Sequence, residues 1–517
     1  MREGSGEQVH LTADKDTAFV TVTARQYLSM WDSHLSTAAF TRITEPVDFK
    51  SLQRKSRQLA DKALRAKLIT KSEHRFLTKD CTGDTREPRG SLKVKTHKHT
   101  DPTAYPPART RMYIDVVNYC TTAWAKYLSV QLTPARARIP GRITDTRDFI
   151  AKLREHRFSI DCWILSADIE EFYPNTRVSE GEKTISKNVD PTLRELCTEA
   201  SQLIHESIYI ATPSGIHKLE GRYGIGLGHS GEVCDLEWSQ NEQEVIAALT
   251  VAQTAALSFW CRSTDDYLMV LEGPVEHRLA VINAFKAKDP DRPLTFQTSE
   301  FSIDYLDVTV YKGSQFHSTG ILDTKPYTKP SYTGMHLPYS SHHPQSTFDS
   351  ILSGYHNRSL ISSSSWSVHL LCMNQKYAAF SMRGYTSRIM LKWLMQDTTK
   401  SKRKWRERRE EALSRKRPRD DSTTRIIPLK LQYTPRTQTL SKALSVAKLQ
   451  GDIESASPAL SRASLGKLTI CNLKSLNLRE ACRPRGYITL QQDECDQEQM
   501  NRTAEEVAAA ASPISDE

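Results

Sequence analysis

The sequence predicts an α+β protein, and three features carry this prediction. Residues 1–85 are charged and helix-like, whereas residues 111–320 alternate between strand-like and helix-like segments. The segment "SFWCRSTDDYLMVLEG" indicates a strand, a tight turn and a second strand. With 517 residues, 38% hydrophobic and 26% charged, the chain is long enough for two or three domains around a substantial core.

The individual elements follow from local patterns along the chain. "DFKSLQRKSRQLADKALRAKLIT" places apolar residues three and four positions apart, as an amphipathic helix does. "CWILSAD", "IYIATP" and "IHKL" predict strands, and "EVCDLEWSQNEQEVIAALTVAQTAAL" predicts one long helix after a glycine-rich stretch. "FSIDYLDVTVYKG" predicts a further strand. Residues 86–110 are basic and contain prolines, and residues 321–398 mix turns with helices.

The charge balance favours a polyanionic partner, because the formal net charge is +10 and the pI is near 9.0. Nucleic acid is the commonest such partner, and an anionic membrane surface is the alternative. The sequence has no run of about 18 apolar residues to span a bilayer, and its first residues lack the apolar core of a signal peptide. We therefore expect a nucleic-acid partner and no membrane.

Cysteine usage and one basic segment bear on the cellular compartment. The ten cysteines are scattered singly without a C-x-x-C pair, so neither a zinc site nor a disulfide framework is expected. A reduced, nuclear or cytoplasmic protein follows. The segment "KSKRKWRERREEALSRKRPRDD" allows a linker or solvated helix face, a nuclear-import signal at 415–419, or a nucleic-acid contact. We expect a basic linker over 399–430 and a largely disordered acidic tail within 431–517.

The glycine-rich stretch "RYGIGLGHSG" fits the pattern G-x-G-x-x-G at Gly226, Gly228 and Gly231. A dinucleotide-binding loop needs a strand directly before the glycines and an acidic residue about 20 residues later. The preceding "HKLEGR" is polar, and Val251 stands at the second place. A phosphate-binding Walker loop would need a lysine that is also missing here. What remains is a glycine loop that opens a helix, where backbone can approach an anionic ligand.

Two groups of carboxylates suggest metal chemistry. Asp168 ends a hydrophobic strand, and Asp265 and Asp266 occupy the turn between two apolar runs. Each group alone is an ordinary choice of turn residue. If the strands are neighbours, however, the three side chains converge on one point. Carboxylate oxygens are the ligands that Mg²⁺ prefers, and two such ions serve in-line phosphoryl displacement.

The order of these segments resembles the reverse transcriptases of Penelope-like retroelements. "KVKTHK" with "PPAR" resembles their fingers motif, "ITDTRDFIAKL" the helix before the palm, and "SADIEEFYPNT" motif A. "YGIGLGHSG" resembles motif B, "CRSTDDYLMV" motif C, and "IDYLDVTVYKG" a later palm strand. "PYTKPSYTGMHLPYSSHHP" and "MRGYTSRIM" resemble the thumb, and "LQYTPRTQTLSKAL" and "NLKSLNLRE" the connector beyond it. The resemblance covers roughly residues 90–490.

The resemblance implies a right-hand polymerase: fingers and palm over 86–320, the palm being an antiparallel sheet flanked by helices, and a helical thumb over 321–398. It implies an N-terminal helical region over 1–85 and a connector within 431–517. Asp168, Asp265 and Asp266 would be the catalytic acids and would bind Mg²⁺ or Mn²⁺. Tyr173 would exclude a 2′-hydroxyl and favour dNTP, although a half-buried strand aromatic is the alternative. The remaining implied contacts are nucleotide-binding Lys95, Arg109, Gly224, Gly226 and Gly228, and nucleic-acid-binding Lys98, Arg262 and Lys329.

The implied function is an RNA-directed DNA polymerase that acts on an RNA template, a DNA primer and dNTP. The sequence departs from the family pattern at Ser263, where an aromatic is usual, at His229-Ser230, where Ser/Thr-Pro is usual, and at Gly221, where Gln is common. A catalytically inactive nucleic-acid-binding remnant is therefore the alternative. Tyr173 argues against a third possibility, an RNA-dependent RNA polymerase. Since 431–517 lacks a GIY-YIG pattern, the resemblance is to endonuclease-lacking or truncated forms, and target cleavage is not expected.

Overall fold

A computed structural model describes residues 8–14, 19–81, 86–95, 109–329, 336–397 and 401–414, and the backbone of strands at 427–432 and 468–473. The strands are β1 (Gln8–Ala13), β2 (Phe19–Thr23), β3 (Phe40–Ile43), β4 (Arg89–Val94), β5 (Thr110–Asp115), β6 (Trp163–Ile169), β7 (Tyr209–Thr212), β8 (Gly215–Leu219), β9 (Leu257–Ser263), β10 (Asp266–Leu271), β11 (Leu294–Ser299), β12 (Ser302–Tyr305), β13 (Val308–Tyr311), β14 (Asp323–Pro326), β15 (Ile427–Gln432) and β16 (Leu468–Leu473). The mixture of helices and strands confirms the predicted α+β class.

The helices alternate with these strands through most of the chain. They are α1 (Ala24–Leu35), α2 (Phe49–Arg65), α3 (Lys71–Thr78), α4 (Thr122–Arg136), α5 (Thr146–Leu153), α6 (Phe172–Asn175), α7 (Val178–Asn188), α8 (Arg194–Glu206), α9 (Ser230–Ala248), α10 (Val251–Ala256), α11 (Val275–Ala287), α12 (Phe316–Thr319), α13 (Gln345–Ser362), α14 (Trp366–Ser381), α15 (Ser387–Trp393) and α16 (Lys402–Ser414). No helix in the described ranges is both long enough and apolar enough to cross a membrane.

The first sheet is built largely from the N-terminal part of the chain. Its order is β2-β1-β4-β7-β8-β3, and β5 pairs with β4 along the whole length of that strand. The prediction that 1–85 is a helical region is therefore incomplete, because β1, β2 and β3 contribute to this sheet beside α1, α2 and α3. The alternating burial along β1 explains the strand: every second side chain faces the core.

The central sheet has the order β11-β6-β10-β9, and all its pairings are antiparallel. The predicted strand over "CWILSAD" and the predicted hairpin over "SFWCRSTDDYLMVLEG" are confirmed as β6 and as β9 with β10. Both faces of the sheet are covered. Tyr267 and Met269 of β10 face one hydrophobic cluster with Trp124 and Trp238, whereas Leu268 and Val270 face a second cluster.

Three segments differ from the sequence-based expectation. The long helix ends at Ala248, and Thr250 begins α10 by accepting from the Gln253 backbone N–H, which breaks the run in two. "FSIDYLDVTVYKG" forms two paired strands, β12 and β13, where one was expected. Residues 402–414 form α16, where a linker was expected.

The C-terminal helices α13, α14 and α15 share a third hydrophobic cluster, which contains Phe348, Leu352 and Phe380. α16 packs onto them, because Trp405 is buried and Arg408 forms an ion pair with the buried Asp397. The side chains of this basic helix therefore divide between core and solvent. The import signal expected at 415–419 lies outside the described residues, as does most of 431–517. Within that last range the structure describes the strand β16, which pairs in parallel with β15.

Candidate active site

The three aspartates lie together at one end of two paired strands. Asp266 begins β10 directly opposite Asp168 near the end of β6, and the backbone N–H of Ile169 donates to the Asp265 carbonyl at 3.0 Å. The sequence analysis required these strands to be neighbours, and they are. The arrangement follows from hydrophobic patterning, because both strands bury their apolar side chains and leave the acids at the edge. The catalytic and metal-binding roles of the three acids remain predictions.

The turn that carries Asp265 has an unusual backbone. Ser263 pairs with Asp266, so Thr264 and Asp265 alone form the turn, and Thr264 has a φ of 60°. A β-branched residue rarely adopts positive φ, and it does so only where the surroundings hold it there. The observation points to a turn that is fixed by its neighbours.

Arg262 is one of those neighbours, and its position corrects a prediction. We expected it to contact nucleic acid, but it is 1% exposed and its guanidinium points into the protein. Its Nη1 donates to the Thr264 carbonyl at 2.7 Å, and its Nε donates to Glu242 Oε1 at 2.6 Å. A charged group buried among carboxylates cannot reach a phosphate outside, so the nucleic-acid role does not hold in this structure.

Helix α9 supplies the carboxylates that hold Arg262. Asp235 also forms ion pairs with Arg136 and Arg142, at 2.6 and 3.3 Å. Burial alone would raise the pKa of Asp235, but the surrounding guanidinium groups lower it overall. Burial dominates at Glu242, which has Arg262 as its partner, and its pKa is raised. The unequal number of partners explains the opposite directions.

Tyr173 stands close to the aspartates. It lies in α6, which starts after Glu171, and it is half-buried against Phe172. Burial raises the pKa of Tyr173, and the charges of Cys234 and Asp265 raise it further. The hydroxyl is 4.0 Å from where a Cβ on Gly231 would lie. Tyr173 therefore lies near the start of α9, and its role as a gate remains a prediction.

The predicted basic contacts behave differently from one another. Lys95 has a side chain only 14% exposed, and its Nζ lies 3.7 Å from Glu171 Oε1. Its backbone N–H donates to the carbonyl of Arg109, whose side chain is exposed. Lys98 lies outside the described residues. Lys329 is exposed and lines a cleft of about 260 Å³ together with Arg358 of α13 and other residues.

The glycine loop before α9 packs closely against β5. Gly226 has a φ of 118°, and a Cβ there would lie 2.0 Å from the Ile114 carbonyl oxygen. A Cβ on Gly224 would lie 2.4 Å from the Ile114 side chain, and one on Gly228 would meet Ala125 at 3.5 Å. Close approach of the loop to the protein itself thus accounts for two of these glycines. Their predicted contact with a nucleotide remains untested.

Sequence reasoning missed two features around these elements. Arg111 of β5 forms an ion pair with Asp14 at 3.0 Å. Burial would lower the pKa of Arg111, but Tyr113, Asp14 and Asp265 raise it overall. The signal available in the sequence was its spacing two residues after Arg109, on the same side of a strand.

The second missed feature is a buried polar cluster behind the glycine loop. His229 is completely buried, and its ring contacts those of His205 and Tyr223. Burial lowers the pKa of His205 to about 4 and that of His229 well below its usual range. Both histidines are therefore neutral near pH 7.

One further group has ligand atoms that are close enough for a metal ion. Among the described residues, His356, His369 and Asp397 have ligand atoms within 4.8 Å of one another. His356 Nε2 lies 2.5 Å from Asp397 Oδ2, and Arg408 forms an ion pair with the other carboxylate oxygen. A guanidinium already neutralises this carboxylate, so we interpret the group as a structural ion network that joins α13, α14 and α16.

Comparison with known proteins bears on the fold. No family model and no curated protein matches this sequence. The chain is similar to the telomerase of Candida albicans in complex with a TWJ fragment of telomeric RNA, with a TM-score of 0.50 and 11% identity over 78% of this chain and 68% of that one. Apo telomerase from Candida tropicalis gives a TM-score of 0.42 at 10% identity over 75% and 68% of the two chains. The first similarity shows a reverse-transcriptase-like fold, as expected from the sequence.

Proposed function

We propose that the protein is an RNA-directed DNA polymerase of a retroelement, similar to those of Penelope-like elements. Residues 86–320 would then form fingers and palm, and residues 321–398 the thumb. The observation that carries the proposal is the register between β6 and β10, which brings Asp168, Asp265 and Asp266 to one edge of the central sheet. The glycine loop and α9 lie between these acids in sequence, and Asp235 of α9 pairs with Arg262, which donates to the turn that carries Asp265.

The donor set fits a hard divalent cation. Three carboxylates at the ends of rigid, paired strands offer oxygen ligands and few other groups, as Mg²⁺ or Mn²⁺ sites do. Asp168 and Asp265 would hold the ions, and Asp266 would assist. When bound, such ions would neutralise charge on a triphosphate and activate the attacking hydroxyl.

The surrounding side chains would then bind and orient the nucleotide. Arg111 of β5 forms an ion pair with Asp14, and its guanidinium could form two parallel hydrogen bonds with a phosphate. Lys95 would exchange Glu171 for a phosphate when nucleotide binds. Tyr173, whose hydroxyl lies near the start of α9, would contact the sugar and exclude a 2′-hydroxyl.

Primer extension tests this proposal. A DNA primer on an RNA template, with Mg²⁺ and dNTP, is expected to lengthen, and NTP is expected to support much less extension. Tyr173→Ala should raise the relative use of NTP, because it opens the space that the ring occupies. Extension with NTP but not with dNTP by the unaltered protein would contradict the proposal and favour an RNA polymerase.

A second candidate is a nucleic-acid-binding remnant without catalysis, and one observation favours it. The ammonium of Lys95 already has a carboxylate neighbour and little exposure, so one expected triphosphate contact is occupied within the protein. This candidate predicts RNA binding that weakens steeply with salt but no extension under any metal condition.

A further inference from the structure

Arg262 of β9 connects helix α9 to the turn between β9 and β10. Its guanidinium contacts Asp235 and Glu242, both in α9, and also the carbonyl of Thr264 in the turn between β9 and β10. The Nη1 atom that donates to Thr264 also faces Asp235. The planar guanidinium has five donors in fixed directions, and here they are spread over a helix and a turn. Arg262 therefore fixes the distance between α9 and the aspartate turn.

The two carboxylates of α9 that bind Arg262, Asp235 and Glu242, are themselves held in place. Tyr267 donates its hydroxyl hydrogen to Glu242 and accepts a hydrogen bond from Trp238 Nε1 at 2.6 Å. Glu242 and Asp235 are 2% and 0% exposed. Buried charges that are fully hydrogen-bonded hold one geometry, because any displacement leaves a partner unpaired at a large cost.

The turn needs such support. Thr264 holds a positive φ, and β9 and β10 leave its carbonyl outside the ladder of strand hydrogen bonds. The hydrogen bond from Arg262 satisfies this carbonyl. Without it, the turn could relax and move Asp265 relative to Asp168, since backbone strain persists only where the surroundings enforce it.

We propose that Arg262 is a positioning residue that holds the Thr264–Asp265 turn in register with Asp168, so that the three aspartates can bind divalent cations together. This proposal rests on the proposed function only for the identity of the site. Residues that hold metal ligands in position typically contribute about 10–100-fold to metal affinity or activity.

Arg262→Lys tests the proposal, with Arg278→Lys as the matched control. Lysine keeps the charge, but its ammonium cannot reach Asp235, Glu242 and the Thr264 carbonyl at once. Arg278 is also buried and donates to the carbonyls of Gly273 and Asp161 at 2.7 and 2.8 Å, but these lie at the opposite end of the central sheet. Both variants lose buried hydrogen bonds, and only one loses support of the aspartate turn.

Mn²⁺ binding, followed through the electron paramagnetic resonance of the free ion, gives a readout that does not depend on polymerase activity. The Mn²⁺ binding that Asp265→Asn abolishes is the binding at the aspartate site. Arg262→Lys is expected to weaken Mn²⁺ affinity at this site by about 10–100-fold, and Arg278→Lys is expected to leave it unchanged. Equal Mn²⁺ affinity in the two lysine variants would overturn the proposal. Equal Mn²⁺ binding by the wild-type protein and the Asp265→Asn variant would also overturn it.

A second variant covers the case in which Arg262→Lys does not fold. Tyr267→Phe removes one of the groups that fix Glu242 and should weaken Mn²⁺ binding by a smaller factor. In that case, unchanged affinity in Tyr267→Phe overturns the proposal. If the unaltered protein binds Mn²⁺ at the aspartates but extends no primer, the proposed polymerase function fails while the positioning role is still decided by the variants.

Discussion

Two hairpins of this protein share the same turn, and comparing them shows what makes one a candidate active site. In β9–β10 the turn residues are Thr264 and Asp265, and in β12–β13 they are Leu306 and Asp307. The first residue of each pair has positive φ, 60° for Thr264 and 53° for Leu306. Each turn then places an aspartate at its second position. The two turns therefore share a backbone conformation and the position of one aspartate.

Their surroundings differ. Asp265 lies beside a strand that carries Asp168, and its turn is held by the buried Arg262. Asp307 instead accepts a hydrogen bond from the Thr146 hydroxyl at the start of α5, and Arg358 lies 3.7 Å away. An aspartate in a tight turn is thus an ordinary structural choice, as the second hairpin shows. The second acid Asp266, the neighbouring strand with Asp168 and the ion network around Arg262 distinguish the first hairpin.

The largest expected effect is on catalysis. Asp265→Asn should reduce primer extension at least about 10³-fold, because it removes charge from the point where preorganised electrostatics act. Asp307→Asn, in the matching turn, should leave the extension rate per folded molecule unchanged. Steady-state extension with circular dichroism as a folding check measures both. Equal losses in the two variants would mean that the comparison between the hairpins is wrong.

The next effect concerns the stability of the support behind the first hairpin. Glu242→Gln should lower the free energy of unfolding by about 3 kcal/mol, since removing one partner of a buried ion pair leaves the other uncompensated. The remaining partner Asp235 limits the loss. Urea unfolding monitored by tryptophan fluorescence provides the measurement. A change below about 1 kcal/mol, the value of an ordinary hydrogen bond, would show that the network contributes little.

The pH dependence of stability tests the burial of His205 in α8, whose ring contacts His229 at the start of α9. The folded-state pKa of His205 is about 4 against an ordinary value of 6.5, so between these values the unfolded chain binds more protons. Stability from this group is complete above about pH 6.5. It is lost as the pH falls towards 4, by about 3 kcal/mol in total.

The matched variant for this titration is His205→Phe, which keeps an aromatic ring against Tyr223 and His229 but cannot be protonated. As the pH falls from 6.5 to 4, the unfolding free energy of the wild type should decrease relative to that of the variant. Parallel pH curves for the two proteins would contradict the burial of a neutral His205.

The smallest effect is expected at the second hairpin. Thr146→Val removes the hydroxyl that donates to Asp307 and should cost about 1 kcal/mol of stability, the usual net value of one hydrogen bond. Primer extension per folded molecule should not change. Thermal unfolding and an extension assay on the same sample measure stability and activity. A loss of extension without a loss of stability would mean that Asp307 contributes to activity, contrary to the comparison of the two hairpins.

The sequence by itself determined the local structure around the site. The apolar runs that flank Asp265 and Asp266 predicted the hairpin, and the run before Asp168 predicted β6, because strand periodicity and turn chemistry depend on residues a few positions apart. The order of the motifs also indicated a reverse-transcriptase-like fold, which the structural comparison supports.

The tertiary structure alone decided which charged side chains reach the site. The sequence predicted that Arg262 contacts nucleic acid, but Asp235 and Glu242 pair with it inside the protein. β5, which carries Arg111, packs beside the glycine loop, and no local pattern specified that contact. Likewise, the basic segment at 402–414 became a packed helix because Trp405 and Arg408 find buried partners in the neighbouring helices. The physical reason is the same in each case: whether a charge is solvated or paired depends on residues distant in the chain, which local patterns do not specify.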